Sequence, residues 1–97
     1  MVYVDDYQGK FRGMIMCHLF ADSLCELHAM AEKLGLKREW FQHDSAAHYD
    51  ICKSKRTKAI GFGAVSIECR SQQWREVLET AKQQLNMEET DIFAGLI

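Results

Sequence analysis

The sequence predicts a small α/β domain in which a sheet of three or four strands is packed by about three helices. Two observations carry this prediction. Apolar runs of strand length alternate along the chain with segments whose apolar residues recur at helical spacing, which is the pattern of a layered α/β domain. The length of 97 residues, with 47% apolar and 27% charged residues, suits a single globular domain over residues 1–97.

Up to four segments have strand character. Residues 2–4 form a short β-rich run, and Met14–Ala21 is a nearly continuous apolar run typical of a strand that is buried on both faces. Residues 64–69 alternate between apolar and polar side chains, and a fourth strand is expected around Tyr49–Cys52. The segment 7–13 contains two glycines and two cations, which predicts a loop.

Local capping signals mark the helices. Ser23 and Glu26 form a capping box at the start of the first helix, and Gly35 supplies the left-handed residue that ends it. A second, short helix is predicted to begin in the basic segment 53–58. Ser71 is expected to cap a third helix that runs to residue 86.

The C-terminal segment 87–97 is rich in apolar residues. An apolar tail is expected to dock on the domain or to contact a partner, because free apolar surface is unfavourable in water. One hypothesis is therefore a homodimer formed through Phe93, Leu96 and Ile97.

Composition excludes several classes of protein. No run approaches eighteen apolar residues, so we expect no membrane span, and the first residues do not resemble a signal peptide. The four cysteines form no C-x-x-C pair, which predicts reduced thiols and a cytoplasmic location. The net charge of −2 argues against a wholly basic nucleic-acid-binding surface.

Carboxylates and a histidine next to the first strands are candidates for chemistry. Asp5 and Asp6 follow the first strand, where open α/β sheets place ligand and metal sites. The alternative is that they end the strand at a turn. His18 lies inside an apolar run, and Asp22 is expected to orient it from the same face of the strand. The alternative is a core histidine bonded to the backbone.

A polar segment in the middle of the chain contains two imidazoles and two carboxylates, at His43, Asp44, His48 and Asp50. These residue types bind first-row divalent ions. Their spacing matches no established metal motif, so a solvated loop is the alternative.

The basic segment 53–58 has four cations in six residues at a helix start. Cations are unfavourable there because the free N–H groups already carry partial positive charge. A bound phosphate would compensate, held by Ser54, Lys55 and Arg56. The alternative is a solvated basic face.

The chain also resembles a family of small bacterial and phage domains of unknown function, number 4031. The resemblance covers residues 1–70 and implies no established activity, cofactor or residue role. It is carried by Tyr3-Val4-Asp5-Asp6, the stretch from Cys17 to Asp22, Glu26-Leu27-His28, Trp40-Phe41, His48-Tyr49-Asp50 and Ser54-Lys55-Arg56.

Three functional hypotheses follow. The first is a module that binds a phosphorylated small molecule or nucleotide in one cleft, and the second is a metal-dependent phosphoesterase or nuclease. The third is a small adaptor or host-interaction protein that acts through its tail. The predicted ligand-binding residues are Asp5, His18, Asp22, His48, Tyr49, Asp50, Ser54, Lys55 and Arg56. The predicted ligands of a divalent metal, if one is bound, are Asp5, Asp6, His18, His48 and Asp50.

Overall fold

The computed structural model describes the backbone of residues 1–96 and the side chains of residues 1–85. Over this range three α-helices pack on a mixed sheet of five strands, which confirms the predicted fold class. The strands are β1 (Val2–Asp5), β2 (Gly9–Phe11), β3 (Met14–Ala21), β4 (Tyr49–Cys52) and β5 (Val65–Ile67). The helices are α1 (Leu24–Lys33), α2 (Lys53–Gly61) and α3 (Gln72–Leu96), with a short 3₁₀ turn at Arg38–Trp40.

β3 is the central strand of the sheet. It pairs antiparallel with β1, β2 and β4, whereas β5 pairs parallel with β1. Because β4 pairs with residues 16–19 of β3, β1 and β2 share the opposite side of that strand.

Residues 5–8, beginning with the last residue of β1, form a bulge between the parts of β1 and β2 that pair with β3. Val4 pairs with Leu19, and Gly9 pairs with Met16. Four residues of the bulge therefore face only Cys17 and His18 of β3, which interrupts the regular ladder and opens the sheet locally.

The prediction of a loop over residues 7–13 is wrong, because β2 forms a hairpin with β3 inside that segment. Arg12 and Gly13 connect the two strands, and both have positive φ, at 48° and 78°. Two central residues with positive φ are the requirement of a tight type I′ hairpin turn. The two glycines indicated a loop because they lie at the start and at the turn of this hairpin.

Local signals for the helices are confirmed. The Ser23 hydroxyl accepts a hydrogen bond from the backbone N–H of Glu26, at 3.2 Å. Gly35 has a φ of +75° at the end of α1, and the N–H of Leu36 donates a hydrogen bond to the carbonyl of Ala31. The Ser71 hydroxyl accepts from the N–H of Trp74 at the start of α3. Each of these bonds is local in sequence, so residue type predicts it directly.

The sheet carries an apolar core on each face. Cys17 and Leu19 of β3 pack with α1 and with Ala59 of α2. Phe20, on the other face of the strand, packs with Val77 of α3. Since side chains alternate along a strand, His18 points towards the α3 face.

α3 continues to Leu96 and so includes most of the segment predicted to be a separate tail. The side chains of residues 86–97 lie outside the described residues, and with them the predicted dimer contacts of Phe93, Leu96 and Ile97. No helix in the described part of the chain is both long enough and apolar enough to cross a membrane.

Candidate metal centre

The bulge places the Asp5 carboxylate against His18. Asp5 is completely buried, and its Oδ2 accepts a hydrogen bond from His18 Nδ1 at 2.7 Å. Its Oδ1 accepts from the backbone N–H of His18 at 2.9 Å and from that of Tyr7 at 3.3 Å. The carboxylate thus takes the place of the ladder partner that His18 loses at the bulge. It also fixes the orientation of the imidazole.

Strand pairing brings a second histidine and a second carboxylate to the same place. His18 of β3 pairs directly with Asp50 of β4, so their side chains lie on the same face. His48 precedes Asp50 by two residues and joins that face by the alternation of an extended chain. Their positions therefore depend on the register between β3 and β4, which brings together residues far apart in sequence.

Both imidazoles direct Nε2 towards Asp50. His48 Nδ1 donates to the carbonyl of Ala46 at 2.8 Å, and His18 Nδ1 donates to Asp5. With both Nδ1 atoms used as donors, the neutral rings have a lone pair on Nε2. His48 Nε2 lies 3.4 Å from Asp50 Oδ1, and His18 Nε2 lies 3.9 Å from the same oxygen.

These three side chains could hold a divalent metal ion. One ring nitrogen of each histidine and a carboxylate oxygen of Asp50 all lie within 4.8 Å of one another. Two ligands at about 2.1 Å from a tetrahedral metal ion lie about 3.4 Å apart, so small side-chain rotations would complete the geometry. The Asp50 side chain is 43% exposed, so the cluster faces solvent on one side.

The family comparison places the chain in a family but assigns no role to any residue. A family model described as Protein of unknown function (DUF4031) matches residues 2–81. The chain belongs to this family. No curated protein and no solved structure matches it. The matched range of this DUF4031 member includes His18, His48 and Asp50, and it reaches into α3.

Electrostatics favour a charged pair between His48 and Asp50. Burial opposes the charged form of His48, but the contacts with Asp50 and the Ala46 carbonyl raise the pKa of the imidazole overall. The contact with His48 lowers the pKa of Asp50. Burial also opposes ionisation of Asp5, yet hydrogen bonds from His18 and Trp74 lower the pKa of that carboxyl group. The lowered pKa values favour the charged forms of Asp5 and Asp50. These two negative charges beside the imidazoles favour the binding of a cation.

Two aromatic residues of the site were not predicted. The Trp74 indole N–H donates to Asp5 Oδ2 at 2.9 Å, which ties α3 to the buried carboxylate. The Tyr7 ring stacks on His18 with the ring centroids 4.8 Å apart. Helical spacing can show which face of α3 Trp74 occupies, but it cannot show the hydrogen-bond partner of the indole. No sequence signal marked Tyr7, since the bulge alone positions it.

Asp6 and Asp22, two residues of the predicted site, lie apart from the cluster. Asp6 is exposed, and its Oδ1 accepts from the backbone N–H of Cys69 at 2.6 Å. Asp22 does not orient His18 as predicted. Its Oδ1 accepts from the Tyr3 hydroxyl, because β3 ends at Ala21 and its alternation does not continue.

Tyr49 also lies apart, on the opposite face of β4. It is 1% exposed, and its hydroxyl is 2.8 Å from His28 Nδ1. It packs in the core beside α1. The alternation of the strand separates it from its two neighbours, His48 and Asp50.

The predicted phosphate ligands of α2 contact protein groups. Lys55 Nζ donates to the carbonyl of Leu34 at the end of α1, at 2.6 Å. Arg56 Nε donates to the carbonyl of Asp5, and its Nη2 donates to the Ser66 hydroxyl. The Ser54 hydroxyl lies 3.2 Å from Cys52 Sγ. The start of α2 is as predicted, but Lys55 and Arg56 join α2 to its neighbours.

Proposed function

We propose that the protein is a divalent-metal-dependent hydrolase whose metal ion is bound by His18, His48 and Asp50. The observation that carries the proposal is the convergence of three ligand atoms within 4.8 Å, supplied by two different strands and the segment before β4. Two imidazole nitrogens and one carboxylate suit Zn²⁺ and neighbouring first-row ions. Of the five predicted metal ligands, this site leaves out Asp5 and Asp6.

The solvent-facing side of the cluster supports catalysis. Three protein ligands leave at least one coordination position for water, as in catalytic zinc sites. In catalytic zinc sites the ion lowers the pKa of its bound water from 15.7 to about 7, and a Zn²⁺ ion held here would supply the same chemistry. Hydrolysis would add the hydroxyl of a water molecule to the electrophilic centre of the substrate, break the bond to the leaving group and give that group the remaining proton. Water is the only co-reactant.

Asp5 has a supporting role in this proposal. Both of its oxygens already accept hydrogen bonds, and one of these comes from His18 Nδ1. A carboxylate in this position fixes the tautomer and raises the basicity of a metal-bound imidazole. We therefore treat Asp5 as a positioning residue and not as a ligand.

Metal binding is the first test. Titration of chelator-treated protein with Zn²⁺ or Mn²⁺, followed by calorimetry, should show one ion per chain. His48→Gln should weaken binding at least tenfold. His43→Gln is the matched control, because His43 is exposed in the same segment and lies outside the cluster. Equal affinities for the two variants would contradict the proposed site.

The reaction class needs a separate measurement. Turnover of phosphate monoesters and diesters should require added metal and should fall at least a hundredfold in Asp50→Asn. Asp44→Asn, which changes an exposed carboxylate of the same segment, should retain full activity. Metal binding without metal-dependent hydrolysis of any ester would refute the hydrolase and leave a metal-binding module.

We also propose a cytoplasmic location. Cys17, Cys25, Cys52 and Cys69 are all free thiols, which is typical of proteins in a reducing compartment. Fractionation of the source cells, with an antibody against the protein, would test this location.

A further inference from the structure

A cleft of about 240 Å³ opens beside the bulge, on the side where α2 packs. Its wall consists of residues 6–8, residues 15–17 of β3, and Lys53, Arg56 and Thr57 of α2. The cleft is thus separate from the His18 cluster, which lies on the α3 face of the sheet.

The cleft carries excess positive charge. α2 has no acidic residue in its first turn, and Lys53 is exposed. Within the described residues, the ion pairs include none of the cations of α2. The carboxylate in the cleft wall is Asp6, which already accepts the N–H of Cys69. A charge imbalance of this kind favours an anionic ligand.

Arg56 lines the cleft and is held in place by two hydrogen bonds. Its bonds to the Asp5 carbonyl, at 2.9 Å, and to the Ser66 hydroxyl, at 2.6 Å, use two of the five guanidinium N–H groups. An ordered guanidinium with further donors matches the geometry of phosphate oxygens. The ammonium of Lys53 and the hydroxyl of Thr57 add donors of the types that phosphate accepts.

The bulge connects the cleft with the metal centre. The carbonyl of Asp5 contacts Arg56, while the carboxylate of the same residue contacts His18. Tyr7 lines the cleft and also stacks on His18. A ligand in the cleft would therefore lie next to the ring that covers one metal ligand.

We propose that this cleft binds a phosphate group of the substrate, so that the hydrolase acts on phosphorylated small molecules. This inference rests on the proposed metal-dependent activity and names its substrate class. The bound phosphate is the recognition group, because the cleft and the metal ligands lie on different sides of the bulge. The bond that would be hydrolysed is another ester or phosphodiester bond of the same molecule, at the metal centre.

The test uses inorganic phosphate and the chelator-treated 97-residue chain, with binding followed by amide chemical shifts. Lys53→Gln should weaken phosphate binding about tenfold. Lys58→Gln is the matched control, since it removes one exposed cation from the same helix outside the cleft. It should change the affinity less than twofold. Equal weakening by both variants, or shifts that are absent from the cleft residues, would overturn the proposal.

The same variants separate this inference from the metal site. Lys53→Gln should bind Zn²⁺ as wild type does, whereas His48→Gln should bind phosphate as wild type does. If Zn²⁺ fails to bind while phosphate binding depends on Lys53, the phosphate site is supported and the proposed hydrolase activity is refuted. If Zn²⁺ binds and supports ester hydrolysis while phosphate does not bind, the hydrolase activity is supported and the proposed phosphate site is refuted.

Discussion

Replacing Asp5 by asparagine should damage both the fold and the metal centre. The carboxylate is fully buried and accepts hydrogen bonds from His18, Tyr7 and Trp74. Asparagine can keep one oxygen for the two backbone N–H groups, but its NH₂ group would then face the Trp74 indole N–H. Since two donors cannot bond to each other, the Trp74 bond is lost and the His18 ring must change its tautomer.

The magnitude follows from these contacts. A hydrogen bond to a charged group contributes about 1.5–3 kcal/mol, and a buried donor without a partner costs about 1–3 kcal/mol. We therefore expect Asp5→Asn to lower the free energy of unfolding by about 3 kcal/mol. That is a large part of the about 5–15 kcal/mol typical of a domain. For a chain of this size the melting temperature would fall by about 12–24 °C.

Urea denaturation of metal-free protein, followed by circular dichroism, measures this loss. Asp6→Asn is the matched control: Asp6 is exposed and accepts one backbone N–H, which an amide oxygen can still accept. The control should lose less than about 1 kcal/mol, the net contribution of one hydrogen bond. A loss below 1 kcal/mol in Asp5→Asn would refute the inferred hydrogen-bond network.

Asp5→Asn has a second consequence, in metal affinity. The changed tautomer of His18 places its proton on Nε2, where the metal ion would bind. Loss of such a supporting carboxylate typically costs about 10–100-fold in metal affinity. A variant that is destabilised but still binds Zn²⁺ with wild-type affinity would show that Asp5 is structural only.

Three further predictions concern pH, thiols and a helix end. In metal-free protein, the raised pKa of His48 adds stability that is complete below its ordinary value of 6.5 and is lost as the pH rises through the folded-state pKa. The lowered pKa of Asp50 adds stability that is complete above 3.8 and is lost as the pH falls through its folded-state pKa. The urea midpoint should therefore be highest between pH 3.8 and pH 6.5, and Asp50→Asn should remove this maximum. Hydrogen bonds from the Ser54 hydroxyl and the α2 backbone lower the pKa of Cys52, whereas burial raises that of Cys17 to about 12. Iodoacetamide should accordingly modify Cys52 in the native protein and Cys17 only after unfolding, as mass spectrometry would show; equal rates would contradict the described burial. Gly35→Ala places a side chain at a φ of +75° and should lower the free energy of unfolding by about 1–2 kcal/mol in urea titration.

The parts of the fold that depend on neighbouring residues could be predicted from the sequence. Ser23, Glu26 and Gly35 define the ends of α1 through bonds that span only a few positions. β2 was missed because its turn is formed by Arg12 and Gly13, and arginine is an unusual residue at a positive φ.

The candidate site could be predicted only in its composition. His18, His48 and Asp50 were all named as metal ligands, and the structure brings these three together. Asp22 was predicted as the partner of His18, and this prediction was wrong. Asp5 contacts His18 instead, through a bulge that periodicity does not reveal. The contacts of Lys55 also depend on helix packing, which residue type alone does not specify.

The parallel pairing of β1 with β5 has a consequence for the order of folding. Tyr3 and Val65 are neighbours in the sheet, yet joining them closes a loop of about 60 residues, at an entropic cost of about 4 kcal/mol. The β2–β3 hairpin closes through two residues and should form much earlier. We therefore expect β5 to join after the transition state. Ile67→Val should then raise the unfolding rate about two- to tenfold and leave the folding rate nearly unchanged.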